Sequence, residues 1–282
     1  MAYKDILIAL TTYPERTPDS AVQTAVALAG QLGGRASALA CKIKISAPGS
    51  IIENVMLDVP ALIAAEQNKS VASTEALLAT FRQAAERADI FQEFIIEQCS
   101  PSEVSNVAAS HARLHDVTIV PVPGGWYVDQ WYAESIIFGS GRPTIIISQE
   151  GAHEMSARLD TILVAWDFSQ PASRAIFDAL PIMQQAKRVF VTTITNEKRI
   201  DSRHSGSAMA KYLARHGIEV VLDVVDAAGR TIGAAIEAQV AARNADLLVM
   251  GAYGHSRMRE FLLGGATRSM LAHASVPVLM SH

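Results

Sequence analysis

Short runs of uninterrupted apolar residues punctuate the chain, and each is followed by a segment that reads as helical. Asp5 to Leu10 reads Asp-Ile-Leu-Ile-Ala-Leu, and Thr161 to Trp166 repeats it as Thr-Ile-Leu-Val-Ala-Trp. Neither run alternates apolar with polar positions, which predicts strands buried on both faces by helices, as in a parallel sheet. Each leads through a turn into a segment with Ser, Asp or Pro near its start, predicting helices over 19–32 and 170–184. The correspondence returns late in each half. Asp116-Val-Thr-Ile-Val matches Asp246-Leu-Leu-Val-Met, and Arg142-Pro-Thr-Ile-Ile-Ile matches Val276-Pro-Val-Leu-Met. Between these anchors, strands are predicted over 36–43 and 91–97, with helices over 61–88 and 103–114. The second half gives strands over 188–195 and 219–225 and helices over 205–215 and 231–243.

Both halves therefore read βαβαβαβαβ, which predicts a tandem pair of α/β domains, 1–150 and 157–282. The polar stretch from Gln149 to Ala157 is the expected boundary. Right-handed crossovers make each sheet parallel and doubly wound, so ligands are expected beyond the carboxyl ends of the strands, where strand order reverses.

Composition narrows the functional classes. With 24 basic and 28 acidic residues the net charge is −4, and no Lys/Arg run is present to neutralise a series of phosphates along a duplex. Nucleic acid is therefore not an expected partner. The only cysteines, Cys41 and Cys99, have no C-x-x-C spacing and are expected to be buried small hydrophobes in a reducing compartment. No apolar stretch approaches the ~20 residues that span a bilayer, and the first residues lack a signal-peptide pattern, so a cytoplasmic protein is expected.

Candidate chemistry concentrates in one segment. Gly251-Ala-Tyr-Gly254-His-Ser-Arg-Met-Arg-Glu-Phe-Leu-Leu-Gly264-Gly265-Ala-Thr267 follows the apolar run 247–250 and leads into an expected helix over 265–273. Glycine lets backbone approach a phosphate closely, and a helix N-terminus offers unpaired N–H groups to an anion. The same glycines would equally serve as a strand end and a tight turn, the ordinary punctuation of α/β folds.

The spacing Gly-x2-Gly-x9-Gly at Gly251, Gly254 and Gly264, followed by Leu-Ala-His-Ala-Ser-Val-Pro-Val-Leu-Met, resembles the ATP-binding signature and ending of the universal stress protein family. The resemblance is strong over 158–282 and weaker over 1–150. It implies two tandem five-stranded parallel sheets of Rossmann-like, adenine nucleotide alpha hydrolase-like type, with strand order 3-2-1-4-5. It also implies ATP or another adenine nucleotide, with Mg2+ as a possible companion, held by this loop and by Asp167, which matches the family's Asp at the end of the first strand. Where the family's binders have Ser or Thr after the third glycine, this chain has Gly265. Its N–H and the nearby Thr267 hydroxyl are the expected substitutes.

The first half departs further. Its loop reads Pro121-Val-Pro-Gly124-Gly125-Trp126-Tyr-Val-Asp-Gln-Trp131-Tyr132, and Thr11 stands where the second half has Asp167. A degenerate site is expected there, with Trp126, Tyr127, Trp131 and Tyr132 forming a lid, a partner surface, a small-molecule pocket or plain packing. Arg257, Arg259 and His255 are candidate phosphate contacts or solvated loop residues. His111 and His115, four apart, have metal-ligand spacing without a third ligand.

No hydrolase or P-loop motif is present, so at most slow ATP hydrolysis is expected. These readings converge on a stress-response regulator that binds adenine nucleotide in its C-terminal half. The other reading is a nucleotide-free scaffold acting through protein partners. The apolar last strands, 143–148 and 276–281, are expected sheet edges that invite pairing between the halves and in a further homodimer.

Overall fold

A computed structural model describes residues 3–45, 59–124, 130–150, 158–195, 206–252 and 265–282. The first half comprises β1 (Asp5–Leu10), α1 (Asp19–Leu32), β2 (Arg35–Ile43), α2 (Val59–Arg87), β3 (Phe91–Cys99), α3 (Val104–Ala112), β4 (Val117–Val122), α4 (Gln130–Gly139) and β5 (Thr144–Ser148). The second comprises β6 (Thr161–Ala165), α5 (Gln170–Met183), β7 (Arg188–Thr195), α6 (Gly206–Arg215), β8 (Val220–Asp226), α7 (Ile232–Arg243), β9 (Leu247–Gly251), α8 (Gly265–His273) and β10 (Val278–Ser281). The order predicted from the repeat is the order observed.

The expectation of two separate five-stranded sheets is corrected. All ten strands form one sheet, ordered β3-β2-β1-β4-β5-β10-β9-β6-β7-β8. Each half keeps the expected internal order. The two last strands, which sequence leaves as apolar edges, pair antiparallel with each other: Val278 opposite Ile146, Leu279 opposite Ile145, Met280 opposite Thr144. All six residues are fully buried. An unpaired edge carries a row of backbone donors and acceptors, and this joint satisfies two such rows at once. It also removes β5 and β10 as free edges, which was the sequence-based reason for expecting a further homodimer.

Helices cover both faces of the sheet. One apolar cluster lies under α1, α2, α5 and α6 and includes Val26, Phe81, Ile176 and Leu213. The other lies under α3, α4, α7 and α8 and includes Ala108, Ile136, Ile236 and Leu271. Each cluster contains residues of both halves, so the boundary near Gln149 divides sequence but not core. The rest of that boundary, 151–157, lies outside the described residues.

A polar contact reinforces the joint. The Tyr3 hydroxyl donates to the Asp178 carbonyl at 2.5 Å, and the Asp178 carboxylate accepts from Ser281 Oγ at 2.8 Å. Burial, with the Asp178 and Asp116 charges beside it, pushes the Tyr3 phenol well above its ordinary value of 10.0. A group whose pKa is raised on folding contributes stability that is intact below its unfolded pKa and lost as pH climbs towards the folded one. The chain is therefore expected to lose stability above about pH 10, and Tyr3→Phe to flatten that loss. Melting temperatures from pH 9 to 11 check this, and equal slopes for the two proteins would refute it.

Candidate functional site

Strand order reverses between β6 and β9. From β6 the chain crosses to β7 on one side, while α7 returns it to β9 on the other, with Ala165 in register with Met250. The carboxyl ends of these neighbours carry Asp167 and Gly251, which sequence reasoning had singled out, and the fold brings them to one edge. Because β9 and β10 are parallel, the helix that joins them, α8, begins at this same edge.

The turn from β6 into α5 is built residue by residue. Asp167 Oδ1 accepts from Ser169 N at 3.0 Å, an Asx-type turn. Phe168 takes a left-handed conformation with φ 64°, uncommon for a side chain of its size. Ser169 then caps α5, its Oγ accepting from Ala172 N at 3.1 Å, and Pro171 follows within the first turn. Asp167 is exposed, with its carboxylate directed back to the chain at the start of a helix, where the dipole favours negative charge.

Gly251 is a glycine for a reason that the spacing did not reveal. A Cβ there would lie 2.3 Å from Ala172 N and 2.6 Å from Pro171 C. Strand β9 thus runs against the backbone of the first turn of α5, and no side chain fits between them. Gly265 is the opposite case: it opens α8, and a Cβ would meet nothing within 4 Å among the described residues. Thr267, the expected hydroxyl donor, is only 2% exposed and lies on the face of α8 that carries Met270 and Leu271. Gly254, Gly264, His255, Arg257 and Arg259 lie outside the described residues.

Sequence reasoning missed Gly233. A Cβ there would come 2.5 Å from Cβ of Ser269, so this glycine lets α7 approach α8 and fixes the helix that begins at Gly265. A lone glycine inside an expected helix was the available signal, since such a residue usually has a packing reason.

At the matching edge of the first half, side chains bond to their own chain. Thr11, at the position of Asp167, donates its N–H to Thr17 Oγ1 at 3.0 Å. Thr12 Oγ1 donates to the Cys41 carbonyl at 2.5 Å, and Ser70 Oγ of α2 accepts from Ile43 N at 3.0 Å. Burial pushes the Tyr132 phenol well above the ordinary range, and its hydroxyl has no partner among the described residues. Trp131 is partly exposed, while Trp126 and Tyr127 lie outside the described residues.

The weaker candidates resolve into packing. His111 Nε2 meets Glu97 at 2.9 Å, and His115 Nδ1 donates to the His111 carbonyl at 2.8 Å. Among the described residues no cluster of three His, Cys, Asp or Glu could hold a metal. Cys41 and Cys99 are buried as expected, which pushes both thiols up. Among the described residues no helix is long and apolar enough to cross a membrane.

The universal stress protein family matches residues 158–282. A universal stress protein from Archaeoglobus fulgidus superposes with a TM-score of 0.69 at 18% identity, covering 98% of this chain and 97% of that one. A functionally unknown protein from Pseudomonas aeruginosa PAO1 does so with a TM-score of 0.59 at 14% identity, covering 99% and 92%. At such identities the likeness is one of fold. No curated protein is a significant match. Residues 158–282 therefore match the universal stress protein family, and the chain as a whole shares the fold of a universal stress protein.

Proposed function

We propose that the chain is a stress-response binding protein that takes up ATP or another adenine nucleotide at the β6/β9 switch point. The observation that carries this reading is the convergence of Asp167, Gly251 and the N-terminus of α8 on one carboxyl edge. Ligands of doubly wound folds sit at such a reversal, and a helix N-terminus there favours a phosphate. In this reading the N–H groups of Gly254, Gly264 and Gly265 hold the phosphates. Asp167 contacts the nucleoside end or an accompanying Mg2+. Because Thr267 is buried, backbone groups take most of the recognition and its hydroxyl little.

Turnover is expected to be slow, since no general base or arginine finger for positioning water is identifiable. The first half, where Thr11 stands in place of Asp167 and bonds to Thr17, is expected to contribute no second nucleotide site. One observation favours a different reading, a scaffold acting through protein partners: Gly265 stands where the family's binders carry a hydroxyl.

The test is nucleotide carried through purification, identified by mass spectrometry after denaturation, together with calorimetric titration of ATP. Stoichiometric adenine nucleotide is expected, with binding lost in Gly264→Trp. Gly265→Ser, placed where a Cβ meets none of the described residues within 4 Å, is expected to tighten ATP roughly tenfold by adding one charge-assisted hydrogen bond. An empty protein with no heat in either the wild type or Gly265→Ser would refute nucleotide binding and favour the scaffold.

A further inference from the structure

Cys41 and Cys99 come together on one face of the sheet. In the parallel pairing of β2 and β3, Cys41 stands opposite Glu97 and Ile43 opposite Cys99, so the cysteines are diagonal neighbours with side chains on the same face. They share a small apolar cluster with Ile43, packed against Tyr13, Ile45, Val104 and Val107. Both are free and buried, and their thiols lie in side-chain hydrogen-bond contact. The strand ends that carry them are held in place. Thr12 Oγ1 donates to the Cys41 carbonyl at 2.5 Å, Ile43 N to Ser70 Oγ at 3.0 Å, and Lys44 N to the Cys99 carbonyl at 2.9 Å.

A third group distinguishes this pair from ordinary packing. The Tyr132 side chain is 5% exposed, its hydroxyl has no partner among the described residues, and both sulfurs are within electrostatic reach of it. A buried donor left unpaired is costly, and a neutral thiol, a weak acceptor, offers it little. A thiolate sulfur would accept from it strongly. The two carboxylates that act on the cysteines are already engaged. Glu97 meets His111 Nε2 at 2.9 Å, and Glu103 accepts from Ser100 N and Oγ at 2.9 and 2.7 Å. Among the described residues no set of three His, Cys, Asp or Glu is assembled, so the donors to a metal number two.

We infer that Cys41 and Cys99 bind one Cu(I) ion in a two-coordinate, bis-thiolate site, with the Tyr132 hydroxyl donating to a sulfur. Soft thiolates select Cu(I), which accepts two ligands in a line, whereas Zn(II) takes four and hard cations take oxygen. On binding, each S–H releases its proton to solvent and each sulfur forms one bond to copper, with no electron transferred. The site then carries one net negative charge, and the phenol O–H is the donor placed to offset its burial. A disulfide fits less well, because it draws the sulfurs to about 2.0 Å, whereas metal–sulfur bonds of about 2.3 Å, as in zinc thiolates, bridge thiols that only touch. The site does not depend on the nucleotide reading. It lies at the outer end of the first half, with the joint between it and the β6/β9 switch point.

The test titrates the full chain, reduced and kept anaerobic, with Cu(I) in competition with the chromogenic chelator bicinchoninate, and with Zn(II) as the control metal. One Cu(I) per chain is expected to leave the chelator, with X-ray absorption reporting two sulfur neighbours, while Zn(II) shows no binding at the same concentrations. Cys41→Ser and Cys99→Ser are each expected to weaken Cu(I) at least about a hundredfold, since a hydroxyl is a poor ligand for a soft ion. Tyr132→Phe, which keeps the ring and removes only the donor, is expected to weaken it about tenfold, the usual scale for losing a group that supports a metal ligand. Failure of the wild type to take copper from the chelator would overturn the site, whether or not any variant folds. So would unchanged capture in the two serine variants, copper held by three or four sulfurs bridging two chains, Zn(II) bound equally well, or an unchanged affinity in Tyr132→Phe.

Discussion

Gly251→Ala is expected to destabilise the chain by about 3 kcal/mol, the upper end of the cost of forcing an extra carbon into a packed interior. The added carbon would lie 2.3 Å from Ala172 N, 2.6 Å from Pro171 C and 2.9 Å from Ala172 Cα. These are backbone atoms in the first turn of a capped helix, so no side chain can rotate aside to relieve the contact. Relief requires α5 to lift from β9, which breaks the packing of Ala172, Ala175 and Ile176 into the core. Gly265→Ala, in the same glycine-rich segment, meets nothing within 4 Å among the described residues and is expected to change stability by less than about 0.5 kcal/mol. Urea denaturation of both variants checks the pair. Equal midpoints would show that Gly251 is not a packing glycine. The comparison also bears on function, because lost ATP binding in Gly251→Ala must be read against lost structure, whereas an altered affinity in Gly265 variants reads on the ligand.

The second large effect concerns the joint between the halves. A protease site placed within 151–157 and cleaved in the folded protein is expected to leave two fragments that elute together. The β5·β10 pairing and both apolar clusters connect them without any need for the linker. Leu279→Asp is expected to undo this. Leu279 is fully buried opposite Ile145, and a carboxylate there has no partner to offset its desolvation. The cost, more than about 4 kcal/mol, exceeds what a short three-residue pairing can bear, so the cleaved fragments should separate. Size-exclusion chromatography with light scattering decides the matter, and separation of the wild-type fragments would refute a shared core.

Much of the fold was legible because its strands are buried on both faces. A strand with helices above and below must be apolar at successive positions, and β1, β4, β6 and β9 all show this. The edge strands were harder to delimit. β3 runs on to Cys99, past the expected end at Glu97, and is half polar because one side of it faces solvent. Of the site, Asp167 and Gly251 were legible as strand ends and do meet at the reversal of strand order. The role of Gly251 was not legible, since a phosphate turn and a close helix contact both require the absence of Cβ. The burial of Thr267 was not legible either, since proximity in sequence to a helix start does not say which face of the helix a residue occupies.

The sequence by itself determined the order of elements, their recurrence in both halves, and the edge of each half where chemistry would be sought. Those features rest on local periodicity and on the handedness of βαβ crossovers, which act within tens of residues. Only the tertiary structure decided that two apolar last strands satisfy each other across one continuous ten-stranded sheet. It alone placed α5 against Gly251, and it alone brought Cys41, Cys99 and Tyr132 together at the ends of two strands. Apolar edges and buried side chains have no intrinsic preference among partners. Which ones meet depends on the relative positions of elements distant in sequence, and those positions are fixed by the packing of the whole core.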